Sequence, residues 1–177
     1  MGQILPTGGE VRGIDYQASL VDLVDFAWQG EQAISGKPYI QIGETLESFW
    51  RFQFGRYSQK KVGICWQGNP QFHADIYRSI PLKTFQPLIE LPGIDWISLQ
   101  YGYGTEQLSA VPFADNIHRL PENIDRSGGA FLDTAAILKQ LDLLITIDTS
   151  VGHLAGALGV PTWLLLNKIP DWRWGLD

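Results

Sequence analysis

One cysteine in 177 residues leaves Cys65 nothing to pair with inside the chain, so a disulfide framework is excluded. Its place within the apolar run Val62 to Trp66 reads as a buried free thiol, a usage that suits the cytoplasm. No apolar stretch approaches the roughly 18 residues that a membrane span needs. Met1 to Glu10 lacks the cationic-then-apolar order of a secretory signal. Basic charge is also scarce: 13 Lys plus Arg stand against 19 Asp plus Glu, a net charge of −6. The basic residues are scattered rather than gathered in a stripe, which argues against nucleic acid as a partner, since that binding leans on neutralising phosphates. A soluble, cytoplasmic protein with no transmembrane segment is expected.

Common catalytic templates are missing too. There is no Walker loop, no G-x-S-x-G elbow and no cysteine set at zinc-ligand spacing. His73 and Asp75 stand two apart with no third ligand in view, so no metal is expected. Gly102-Tyr103-Gly104-Thr105-Glu106-Gln107 opens like a dinucleotide fingerprint, but Gln107 occupies the place of the third glycine, which disfavours a nicotinamide oxidoreductase.

What is present is alternation. The pattern changes character near residue 58. Before it, Tyr16 to Ala27 is too mixed to divide between helix and strand, and Glu44 to Phe54 carries Leu46, Phe49, Trp50 and Phe54 near helical spacing. After it come strand Val62–Trp66, helix Leu82–Leu91, strand Ile94–Leu99, a short element at Ile117–Leu120, helix Leu132–Leu141, strand Leu143–Ile147, helix Val151–Leu158 and strand Thr162–Leu166. Apolar, non-alternating strands separated by helices predict an α/β fold, a Rossmann-like, mostly parallel sheet with helices on both faces. Ligands of such sheets bind beyond the carboxyl ends of the strands, which singles out the turns after Trp66, Gln100 and Ile147.

The third of these turns carries the most chemistry. Leu143 to Ile147 runs into Asp148, Thr149 and Ser150, residue types that begin helices, and then into Gly152 and His153. A strand ending at a helix start gathers unpaired N–H groups and the positive end of the helix dipole, a ready anion site. The same pattern also starts helices that hold no ligand. His153, on the helical face of Thr149 and Ser150, and Gly152, which leaves room beside it, favour a diphosphate-binding turn. The first turn, Gln67 to Pro81, includes Gly68 and Asn69 and is long for a strand-to-helix connection, a common sign of a binding element. It ends in Arg78-Ser79-Ile80-Pro81, where the arginine either forks onto phosphate oxygens or is a solvated surface cation. Trp172 and Trp174 are candidates for an interface left open.

These motifs carry a resemblance. Val62 to Pro70, Arg78-Ser79-Ile80-Pro81-Leu82, Ile97-Ser98-Leu99-Gln100, Asp133-Thr134-Ala135, Leu141-Asp142, Asp148-Thr149-Ser150, His153-Leu154-Ala155 and Pro170-Asp171-Trp172-Arg173-Trp174 resemble, in order and spacing, the carboxy-terminal half of the heptosyltransferase-like enzymes. These are glycosyltransferase family 9, and the likeness is greatest to the branch associated with tetratricopeptide repeats. The match spans roughly residues 58 to 177, and residues 1–57 resemble the tail of a preceding, acceptor-side domain.

The resemblance implies the carboxy-terminal half of a glycosyltransferase B-type fold that grips a nucleotide-diphosphate sugar. By position, Arg78, Asp148, Thr149, Ser150, Gly152 and His153 are implied to face the donor diphosphate. Gly68, Asn69, Gln100, Asp133 and Thr134 are the implied nucleoside or loop residues. The family's catalytic base is expected in the amino-terminal domain, so no catalytic residue is assigned here. The substrate is a nucleotide sugar, with a glycan or protein acceptor and no cofactor or metal. The chain halts after Asp171–Trp174, before the closing helices of the family. Weak donor binding, little transfer alone, and self-association or a missing partner domain are therefore the expectations. Two other readings stay open: a non-catalytic nucleotide-sugar-binding or protein-interaction module, and an epimerase-like enzyme acting on a nucleotide sugar.

Overall fold

Short runs rich in β-branched and aromatic residues form β1 (Lys60–Cys65), β2 (Ile94–Ser98), β3 (Ile117–Arg119), β4 (Leu143–Ile147) and β5 (Thr162–Leu165). Such side chains suit a pleated surface packed on both sides. The computed structural model describes Gly13 and residues 36–174 apart from Ser127, so the undecided segment Tyr16 to Ala27 lies outside the described residues. The five strands lie in the order β3-β2-β1-β4-β5, and every pairing is parallel. In the middle of the sheet Val62 faces Trp96 across one ladder and Leu143 across the other.

Alternate residues of each strand serve opposite layers. Val62, Ile64 and Trp66 meet Leu82, Phe85 and Ile89 on one side. Those three belong to a 3₁₀ turn at Leu82–Phe85 and to α2 (Gln86–Ile89), which follow α1 (Glu44–Phe54) in the chain. Cys65, Ile97 and Leu144 face the other side and pack on Trp50 and Phe54 of α1, Ala136 and Leu138 of α3 (Leu132–Leu138), and Ala155 and Leu158 of α4 (Ser150–Leu158). The chain leaves β1 towards β2 and β3, then returns through α3 to β4 on the far side of β1. That reversal places a crevice between the carboxyl ends of β1 and β4.

One expectation changes. The single helix foreseen over Leu82–Leu91 is a 3₁₀ turn followed by α2, with Pro87 in the first turn of the latter. A proline is accommodated there because its missing N–H would have no helical partner anyway. Lys37–Asp177 form one compact unit. Helix α1 thus packs with the sheet, and the Trp50 indole N–H donates to Asp133 Oδ1 at 2.8 Å. Among the described residues no helix is long and apolar enough to cross a membrane.

Candidate functional site

Thr149, two residues past the end of β4, has extended backbone, φ −139° and ψ 167°, and α4 begins at the exposed Ser150. The Thr149 hydroxyl makes no capping bond; it turns down towards Thr146 Oγ1 at 3.3 Å and Cys65 Sγ at 4.0 Å. Gly152 and His153 are the first amides to turn inward, both onto the Thr149 carbonyl. The N–H groups of Thr149, Ser150 and Val151 therefore have no acceptor among the described residues. Helices leave such groups open at their starts, and here they converge at the crevice with the positive end of the dipole. Burial pushes the Cys65 thiol beneath them up from its ordinary value, so it stays protonated and adds no negative charge.

The loop after β1 braces this turn. Asp75 is buried, 5% exposed, and its carboxylate accepts the Ser79 hydroxyl at 2.7 Å and Arg78 Nε at 2.9 Å. Ser79 Oγ in turn accepts the Gly68 N–H at 3.0 Å, and Arg78 Nη1 donates to the Asp148 carbonyl at 2.8 Å. The end of β1 and the end of β4 are thus tied by one continuous relay. Gly68 has no side chain because a Cβ there would collide with Asp75 Oδ1 and stand 2.6 Å from Arg78 Nη2. The Arg78 guanidinium also lies over the Phe72 ring, 5.0 Å from its centroid.

A cleft of about 490 Å³ opens beyond β2 and β3, lined among others by Ser98, Tyr101, Glu106, Leu120 and Arg126. A second pocket of about 290 Å³ shares Leu99, Tyr101, Ile124 and Arg126 with it and reaches Thr134 and Val151, in the first turn of α4. Apolar walls with a few polar groups, running up to a helix start with open N–H groups, are the usual make-up of a small-molecule site. The Ser98 hydroxyl is buried in this region without a partner among the described residues.

No protein-family model matches the chain. It is 26% identical over 167 residues to Protein FlbA of Caulobacter vibrioides, a match covering 92% of this chain and 28% of that protein. A glycosyltransferase family 9 structure from Veillonella parvula matches with a TM-score of 0.61 and 15% identity, over 84% of this chain and 43% of that one. The ADP-heptose LPS heptosyltransferase II of E. coli matches with a TM-score of 0.51 and 20% identity, over 72% and 39%. The fold is heptosyltransferase-like. This chain spans less than half the length of each of those proteins.

Within the heptosyltransferase-like fold, Arg78, Asp148, Thr149, Ser150 and His153 come together at the β1–β4 crevice. His153 Nε2 lies 3.8 Å from Asp148 Oδ1, and its ring stacks on Trp174 with centroids 4.2 Å apart. Gly152 faces the sheet rather than the crevice, since a Cβ there would stand 3.2 Å from Thr146 and 3.3 Å from Leu164. Its missing side chain serves packing, not ligand access. Asn69 shapes the β1 loop, its Oδ1 accepting the Gln71 N–H at 3.0 Å. Gln100 extends the sheet: its Oε1 accepts the Trp66 and Gln67 N–H groups at 3.0 Å, and its Nε2 donates to the Gln67 and Tyr103 carbonyls.

Asp133 and Thr134 are tied to Asp125. The Asp133 N–H donates to Asp125 Oδ1 at 2.7 Å, while the Asp125 N–H donates to Asp133 Oδ2 at 2.8 Å. This reciprocal cap begins α3 and orders the loop beside the pocket. Sequence reasoning missed Asp75 as the keystone of the relay, although the spacing Asp75, Arg78, Ser79 was a signal for an i,i+3 and i,i+4 cluster. It also missed Tyr101, Glu106 and Arg126, which only the folded loops assemble. Gln107, read as a fault in a dinucleotide fingerprint, donates to Gln67 Oε1 at 2.6 Å and accepts the Leu82 N–H at 2.8 Å.

Proposed function

We propose that this chain is the donor-binding portion of a glycosyltransferase, holding a nucleotide-diphosphate sugar with its diphosphate on the start of α4 and its nucleoside in the cleft beyond β2 and β3. The observation that carries the reading is the set of Thr149, Ser150 and Val151 amides, without an acceptor among the described residues, at the switch point of the sheet and next to that cleft. Glu106 lines the cleft with one carboxylate oxygen accepting the Gly104 N–H at 2.8 Å, and the other oxygen suits the hydroxyls of a ribose. In the transfer, an acceptor hydroxyl oxygen bonds to the anomeric carbon as the bond from that carbon to the phosphate oxygen breaks. The diphosphate departs with the electron pair, and a base takes the hydroxyl proton. The α4 amides and the Arg78 guanidinium then stabilise the charge gathering on the leaving group, so the reading assigns no step to a metal.

Melting curves with ADP, UDP and GDP test it. At a ligand concentration about a hundredfold above Kd, the right nucleoside diphosphate raises Tm by about 5–10 °C, and EDTA leaves the shift unchanged. No shift with any of them removes the reading.

A further inference from the structure

We propose that Trp174 is the platform for the sugar ring of the donor, an inference that rests on the diphosphate reading above. The order of strands at the carboxyl edge of the sheet gives the direction. The cleft lies beyond β3 and β2, the open amides lie at β1 and β4, and the segment holding Trp174 follows β5. A nucleoside in the cleft with its diphosphate on α4 therefore points its next group at the segment after β5. Trp174 stands there, half-buried, its ring 14° from parallel to that of His153 in the first turns of α4.

The backbone that carries the indole is held by its own turn. The Trp174 N–H donates to the Asp171 carbonyl at 3.1 Å, and the Asp171 carboxylate accepts the Arg173 N–H at 3.0 Å and its guanidinium at 2.7 Å. The Arg173 N–H, with the guanidinium in second place, holds the Asp171 carboxyl below the usual carboxylate range. The Trp174 Nε1–H is buried without an acceptor among the described residues, a donor left for a ligand rich in hydroxyls, since burying it unpaired is unfavourable. An indole face takes the C–H face of a pyranose by dispersion and weak C–H contacts, while the Asp148 carboxylate beside His153 offers an acceptor for a hydroxyl.

Calorimetric titration of the full 177-residue chain with ADP, UDP and GDP, each bare and as its glucose conjugate, tests the assignment in wild type and in W174F, W174L and W174A. One conjugate is expected to bind wild type more tightly than its bare diphosphate. W174A and W174L lose about tenfold for that conjugate and less than about twofold for the bare diphosphate, while W174F keeps most of the affinity. The leucine variant carries the comparison if W174A folds poorly. Equal losses on both ligands, no loss on either, or no conjugate bound more tightly than its diphosphate overturns the platform and leaves the diphosphate site standing. If wild type binds no nucleoside diphosphate at all, the underlying reading fails and the platform falls with it.

Discussion

Arg78 spends two of its nitrogens inside the protein, one on Asp75 and one on the Asp148 carbonyl. Its neighbour Asp75 is almost fully buried, and removing the guanidinium leaves that carboxylate with the Ser79 hydroxyl as its one side-chain partner among the described residues. An Arg78→Ala change is therefore expected to cost about 3 kcal/mol of stability with no ligand present, measured by urea unfolding. A cost near zero would fit a solvated cation instead. Between the two roles that the sequence left open for this residue, solvated cation and phosphate fork, the structure adds a third, a brace. Nη2 remains the nitrogen available to an anion. The residue spacing contained that information, but Asp75 was weighed only as a metal ligand, because burial is not visible in a loop whose backbone path is unknown.

The start of α4 is the element on which the binding reading turns. Replacing Ser150 with Asp puts a carboxylate at the first helical position, where it favours the dipole by about 0.3–1 kcal/mol, yet fills the place of the phosphate with like charge. The variant is expected to melt at the same or a higher temperature than wild type and to lose the Tm shift with nucleoside diphosphates. A variant that kept the shift would place the anion elsewhere. This element was legible: strand Leu143–Ile147 stands as read, and the helix begins at Ser150, one residue earlier than foreseen. Apolar runs bounded by polar capping residues mark their own ends. Leu82–Leu91 was less legible, because its periodicity concealed the break that precedes Pro87. The cleft was not legible at all. It is built from Tyr101 and Glu106 on one loop and Leu120 and Arg126 on another, and no local pattern joins them.

At the scale of the whole molecule, β1 is fastened to the chain entering β4 by Asp142. Its carboxylate accepts the Lys61 N–H at 2.8 Å and lies 3.2 Å from Lys60 Nζ and 3.7 Å from Lys61 Nζ. The Lys61 N–H, followed by the Lys60 side chain, holds its carboxyl below the usual range despite the opposing effect of partial burial. A carboxyl depressed in the folded state contributes stability that is present above the unfolded value, about 3.9, and is lost as pH falls through the folded one. Wild type is thus expected to melt above Asp142→Asn at pH 7 and to lose that margin below about pH 4; parallel melting curves from pH 7 to 3 check it. A constant margin would mean that the charge is not the cause. The relay from Gly68 through Ser79, Asp75 and Arg78 to Asp148 has a wider consequence. Each of its bonds joins one protein group to another, so the two lips of the crevice are locked together, and a ligand arriving there has little chain entropy left to quench.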